Sequence, residues 1–203
     1  MRTKQEIVEN WLPRYTERKL EDFTKHILLT NFTKYVEIFA DHFNVPILGL
    51  KSSMPMLGRR DYHYQFGMGS ANAATIMDLL SAVMPKAVLF LGKCGGLKRA
   101  NVLGDYVLPI AAIRGEGTSN EYLPPEVPSL PAFSMLRAIS SAIRDHGKDY
   151  WTGTIYTDKS QGLGNTIMLS RNIFVVRMPL VSIWKPQPCL LPVSLTKYLR
   201  VHC

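Results

Sequence analysis

A chain of 203 residues and 22.9 kDa, 46% of it hydrophobic, can bury the core of one α/β domain and is short for two. The formal charge of +8 does not mark a nucleic-acid face, because no basic cluster exceeds a pair such as Lys98-Arg99 and the aromatics form no RNA-binding pattern. Three cysteines without paired spacing and five scattered histidines without an HxxxH pair argue against a disulfide framework or a metal site, and suit a reducing compartment. The charged N-terminus and the lack of any run of membrane length predict a soluble, cytoplasmic protein that binds no membrane.

In chain order, residues 4 to 25 read as helical with a break at Trp11-Leu12-Pro13. His26 to Thr30 reads as a short buried strand, after which Asn31-Phe32-Thr33 can cap a helix over Lys34 to Phe43. Val45 to Lys51 and His63 to Met68 are further apolar runs, the second ending in Gly67-Met68-Gly69-Ser70. A helical face from Ala71 to Met84 is closed by Pro85, and Ala87 to Leu91 is a β-branched and aromatic run suited to a central strand. After Gly92-Lys93-Cys94-Gly95-Gly96 come a strand from Asp105 to Ile113, a proline-marked loop, a helix from Ala132 to His146 and a strand from Trp151 to Thr157. This alternation predicts an α/β fold with a mostly parallel sheet, whose ligands bind at the carboxyl ends of the strands.

Three polar turns fall where such a site belongs. Gly69-Ser70 brings free N–H groups to a helix start, suited to an anion, although strand-to-helix turns also need glycine for structural reasons. Neither a P-loop nor a full dinucleotide fingerprint is present. Gly92-Lys93-Cys94-Gly95 offers a cation that can meet a phosphate or carboxylate, or lie along the surface; Cys94 lacks a nearby histidine and reads as packing. Arg114-Gly115-Glu116-Gly117-Thr118-Ser119-Asn120 is the densest polar cluster, able to bind a sugar or phosphate or to form a capped turn.

In this order these stretches resemble the AMP nucleosidase family of the nucleoside phosphorylase superfamily. The resemblance rests on Ile27-Leu-Leu-Thr-Asn-Phe32 with Tyr35-Val36, Phe66-Gly-Met-Gly-Ser-Ala-Asn-Ala-Ala74 and Pro85-Lys-Ala-Val-Leu-Phe-Leu-Gly-Lys-Cys-Gly-Gly-Leu97. Gly104-Asp105, Ile113-Arg-Gly-Glu-Gly-Thr-Ser-Asn120 and Tyr122-Leu-Pro-Pro-Glu-Val-Pro128 complete it. It implies a three-layer α/β/α domain with a mixed central sheet over residues 26–159, preceded by a helical extension over 1–25 and followed by an aberrant, poorly packed tail over 160–203. It also implies hydrolysis of the N-glycosidic bond of AMP to adenine and ribose 5-phosphate in purine salvage, without a cofactor, by a homo-oligomer, commonly a hexamer. Substrate-binding candidates by resemblance are Asn31, Gly69, Ser70, Gly92, Lys93, Cys94, Gly95, Arg114, Glu116, Thr118, Ser119, Tyr156 and Thr157. Lys93 would meet the nucleotide's phosphate, Tyr156 and Thr157 the adenine, and the Arg114 to Ser119 loop the sugar or phosphate side. Another nucleoside phosphorylase or nucleosidase and a non-catalytic nucleotide-binding protein are the alternative readings.

The resemblance fails at the tail. Family members carry an Asp-Met-Glu-Thr-Ala-Thr motif and a later aspartate, whereas this chain has no acid after Asp158 and so lacks the catalytic carboxylates. The genetic code offers a reason. Ser182-Ile-Trp-Lys-Pro-Gln-Pro188, written TCG ATA TGG AAA CCG CAA CCN, reads GAT ATG GAA ACC GCA ACC one base back, which is Asp-Met-Glu-Thr-Ala-Thr. The match continues in register through Cys189 to Thr196, which points to a frameshift between Asp158 and Gly164. Sequencing the coding DNA across that junction is expected to show that a single-base shift restores Asp-Met-Glu; if none does, the tail is a genuine ending.

Overall fold

The computed structural model describes residues 3–48, 56–57, 62–65, 69–96, 98–158 and 173–176, with side chains left aside at 56–57, 62–65, 158 and 173–176. They form two compact units, 1–91 and 92–203.

The first unit opens with helix α1, Lys4–Thr16, started by a reciprocal capping box between Thr3 and Glu6. The expected break at Trp11-Leu12-Pro13 does not occur, since Pro13 lies inside the helix. Val8, Leu12 and Thr16 recur every fourth residue on one buried face, and their packing outweighs the single backbone bond that proline removes. This face packs against helix α3, Ser70–Leu80, and the 3₁₀ turn Ser81–Val83 that extends it to the Pro85 stop.

Strand β1, His26–Thr30, is buried from Ile27 onward because it is central, with a parallel neighbour on each side. One neighbour is β4, Tyr62–Gln65, and the other is β5, Ala87–Leu91. Helix α2, Thr33–Phe43, follows β1 in the chain and leads to the edge strand β2, Ile47–Leu48, and its neighbour β3, Met56–Leu57. The sheet order is β2-β3-β4-β1-β5, with β3 antiparallel to its neighbours, so the sheet is mixed as expected. Two details differ from the sequence reading. Phe32, not Asn31, is the N-cap of α2, and no side chain bonds there. The apolar run from Val45 becomes only a two-residue strand, and its end at 49–51, like residues 66–68 before Gly69, lies outside the described residues.

In the second unit, strand β6, Tyr106–Gly115, pairs in parallel with β7, Tyr150–Asp158, and β7 pairs in parallel with β8, Ile173–Val176. Helix α4, Phe133–Asp145, connects β6 to β7 and packs on β6 through Met135, Ile139 and Ile143. The register of β6 on β7 slips at Pro109–Ala111, leaving Ile110 as an extra residue. A bulge tolerates Pro109, which cannot donate to the ladder, and it sets Arg114 opposite Thr157. β8 lies in the segment expected to be aberrant; the prolines at 186, 188 and 192 lie outside the described residues.

Residues 3–16 are thus part of the first unit's core. Leu12→Ala, at a site with no exposure, is expected to lower the unfolding free energy by roughly 3 kcal/mol, whereas Trp11→Ala on the exposed face changes it by less than about 1 kcal/mol. Urea unfolding of the two variants checks this, and equal losses would contradict the packing assigned to α1.

Candidate functional site

Within the first unit, the carboxyl edge of the sheet is marked by Thr30, which lies opposite Gln65 of β4 and Leu91 of β5. Thr30 is fully buried, and its Oγ1 accepts from the Phe32 N–H at 3.3 Å. Asn31 comes next and is buried at 8% exposure, yet neither its Oδ1 nor its Nδ2 has a hydrogen-bond partner among the described residues. Gly69 begins α3 as its N-cap at φ 111°, a conformation that suits glycine, and a Cβ there would meet nothing within 4 Å. Ser70 is the first helical residue, and it is half-buried.

The second unit begins with Gly92, Lys93, Cys94 and Gly95, which follow β5 in sequence. Lys93 is half-buried, Cys94 is buried as its packing role requires, and Gly95 is exposed.

The carboxyl ends of β6 and β7 hold the polar cluster, and its main contacts are internal. Arg114 is buried, and its guanidinium gathers the loop that follows the strand. Its Nε donates to the Val127 carbonyl at 2.8 Å and its Nη1 to the Ser119 carbonyl at 2.8 Å, while the forked end also reaches the carbonyls of Leu123 and Pro124. A rigid planar group with five donors suits this task, since loop carbonyls turned inward need partners. The antiparallel bridge between Ala112 and Ser129, with bonds of 2.8 and 3.0 Å, returns the loop to β6.

Glu116 joins the loop to the neighbouring strand. Its Oε1 accepts from the Ser119 N–H at 3.1 Å, and its Oε2 faces the Thr157 hydroxyl at 2.8 Å. That hydroxyl also lies 3.0 Å from the Ile113 carbonyl, so its one proton is shared between two acceptors. Burial alone would push the Glu116 carboxyl up, but the hydrogen bonds from Ser119 and Thr157 outweigh it and hold its pKa below the usual value. Thr118 is half-buried in the 3₁₀ turn Thr118–Glu121, and the Ser119 Oγ has no partner among the described residues.

Tyr156 is half-buried and leans across the sheet onto Gly115. A Cβ at Gly115 would run into the Tyr156 hydroxyl and stand 2.6 Å from the Thr157 carbonyl oxygen, so this position needs a residue without a side chain. The sequence reading did not single Gly115 out, although a glycine at a strand end is itself a sign of close approach.

A concavity of about 780 Å³ lies at the opposite edge of this sheet, near the amino ends of β6 and β7. Asp105 organises it, with Oδ2 accepting from the Trp151 indole N–H at 2.7 Å and from the Val102 N–H at 2.9 Å. Both bonds brace the strand starts, and this edge carries none of the candidate residues. Among the described residues, no group of three or more His, Cys, Asp or Glu is placed to hold a metal. No helix among them is long and apolar enough to cross a membrane.

The lowered pKa of Glu116 has a consequence for stability. Its contribution is present above the ordinary glutamate value and is lost as the pH falls through the lowered one. Glu116→Gln is expected to lower stability at neutral pH by about 1 to 2 kcal/mol and to flatten the acid side of the profile. Arg114→Met should cost more, roughly 2 to 4 kcal/mol, because several inward carbonyls lose their donor. Chemical denaturation of both variants across the acid range measures these effects, and an unchanged acid slope in Glu116→Gln would refute the role given to that carboxylate.

The phosphorylase superfamily profile matches residues 26–160. The chain is similar to AMP nucleosidase of Escherichia coli strain K12, 28% identical over 171 residues, a match covering 66% of this chain and 35% of that protein. It is also similar to guanosine phosphorylase of Halorubrum lacusprofundi, 33% identical over 92 residues, covering 45% of this chain and 38% of that protein. The chain thus spans little more than a third of the length of these curated relatives. The crystal structure of AMP nucleosidase from Bacteroides thetaiotaomicron superimposes with a TM-score of 0.77 at 68% identity, covering 80% of this chain and 72% of that one. Purine nucleoside phosphorylase from Toxoplasma gondii, at 17% identity, supports the fold alone, with a TM-score of 0.70 over 81% of this chain and 72% of that one. By its matched domain and its fold, the chain belongs to the phosphorylase superfamily.

Proposed function

We propose that this chain derives from an enzyme that hydrolyses the N-glycosidic bond of AMP, releasing adenine and ribose 5-phosphate for purine salvage. The observation that carries this reading is the 68% identity to an AMP nucleosidase over 80% of the chain. Hydrolysis of this bond develops positive charge on the ribose and needs a proton on the departing purine, so carboxylates are required late in the chain. Their absence after Asp158 predicts that the chain as written turns over slowly or not at all.

Substrate contacts are assigned by residue. In the first unit they are Asn31 and the α3 start at Gly69 and Ser70, where the positive end of the helix dipole favours an anion. In the second, Lys93 in the Gly92 to Gly95 turn supplies charge for the 5′-phosphate, and Tyr156 offers an aromatic face to adenine. Arg114 and Glu116 act through the loop and the strand end they hold together, which places Thr118, Ser119 and Thr157. A cytoplasmic homo-oligomer completes the reading.

Adenine release from AMP, followed with and without inorganic phosphate, tests it. The frame-restored protein is expected to release adenine without phosphate, and the chain as written to be slower by roughly a hundredfold or more, as for loss of a principal transition-state contact. A strict requirement for phosphate would instead favour a phosphorylase. Equal rates in the two proteins would overturn the account of the tail, and AMP binding without release by the restored protein would favour a non-catalytic binder.

A further inference from the structure

Among the described residues the buried polar side chains are mostly matched, the Ser119 hydroxyl and atoms of two asparagines excepted. Thr16 Oγ1 donates to the Leu12 carbonyl at 2.8 Å, Thr30 Oγ1 accepts from Phe32, and Arg114, Glu116 and Thr157 are bonded as described above. Asn101 has one unmatched amide atom, but its Oδ1 accepts from the Lys98 N–H at 3.0 Å. Asn31 differs: at 8% exposure, both its donor and its acceptor lack a partner among the described residues. Such a group costs folding free energy, because water is given up and nothing replaces it. It stands one residue beyond the central parallel strand, at the carboxyl edge where α/β sheets bind ligands. It also does not cap α2, whose N-cap is Phe32 without a side-chain bond, so the local structural use of an asparagine here is not made.

We propose that Asn31 is a specificity-determining ligand contact, and that its amide takes a neutral group presenting an acceptor and a donor side by side. The inference rests on the nucleotide reading above and adds to it the chemistry of one subsite. A primary amide offers an N–H and a C=O in one plane, and two uncharged partners answer it: the hydroxyls of the ribose, or the amino and ring-nitrogen edge of adenine. A phosphate dianion answers only half of it, because it accepts from Nδ2 but leaves the Asn31 Oδ1 without a donor. Asn31 therefore reads the uncharged part of the nucleotide, and phosphate is held elsewhere.

The test uses the chain as it exists, with thermal unfolding and calorimetric titration of wild type, Asn31→Leu and Asn31→Ala against AMP, ribose 5-phosphate, adenine and inorganic phosphate. Without ligand, Asn31→Leu is expected to melt at or above the wild-type temperature, because a near-isosteric apolar group removes two unmatched polar atoms. A group that were merely structural would melt lower. Both variants are expected to lose affinity for AMP by about tenfold or more, the scale of one or two neutral hydrogen bonds, with the response to inorganic phosphate unchanged. Asn31→Ala adds no bulk, so its loss cannot be ascribed to blocking. A parallel loss for ribose 5-phosphate identifies the sugar as the partner, and a parallel loss for adenine identifies the base. If wild type binds AMP and the variants bind it equally well, or if Asn31→Leu melts several degrees lower, the role of Asn31 is overturned while the nucleotide reading stands. If wild type binds none of the four ligands, the Asn31 contact is overturned, while the nucleotide reading is decided separately by adenine release from the frame-restored protein.

Discussion

The second unit depends on burying the cation of Arg114. A buried charge is tolerable only when every donor around it is used, and the partners here are carbonyl oxygens of a single loop. That loop could not turn its carbonyls inward without the guanidinium, and the guanidinium could not leave water without the loop. Neither half is stable alone, so the segment from Glu116 to Ser129 behaves as an extension of β6. The bulge at Ile110 belongs to the same constraint, since it fixes the register that puts Arg114 beside Thr157. Glu116 then ties the loop to β7 through the Thr157 hydroxyl.

The first unit solves a different problem. Its central strand β1 is buried from Ile27 to Thr30 between two parallel neighbours, so polar groups gather where the strand ends. At the carboxyl edge Thr30 is satisfied and its neighbour Asn31 is not, although both are buried. Regular pairing thus supplies a rigid frame, and the cost of an unmatched amide is carried where a ligand can offset it.

Much of this organisation was legible in the sequence. The β1, β5 and β7 strands showed as β-branched and aromatic runs, and α3 and α4 as periodic faces bounded by Gly69, Pro85 and the proline-rich loop. The α/β class followed from the alternation of strand and helix signals, and the family resemblance from segments such as Pro85 to Leu97 and the Arg-Gly-Glu-Gly-Thr-Ser cluster. What escaped depends on contacts between residues far apart in the chain. Pro13 looked like a helix breaker because the packing of Leu12 was not visible locally. Strand β3 is only two residues long, and β8, although Ile-Phe-Val-Val, lay in a segment read as an aberrant tail. The bonds of Arg114 to its own loop carbonyls escaped because side-chain chemistry alone does not tell an inward from an outward guanidinium. Gly115 went unremarked because the tyrosine seated on it lies forty-one residues further along.

The bond between the Trp151 indole and Asp105 gives the molecule an optical property. The three tryptophans fall one to each part of the chain: Trp11 on the exposed face of α1, Trp151 at the start of β7, and Trp184 in the tail. Trp151 has its N–H on a carboxylate and the Lys98 ammonium 5.1 Å from its ring centroid, an electrostatic setting that the other parts of the chain do not reproduce for it once β6 and β7 separate. Its emission colour is therefore a label for the pairing of those two strands.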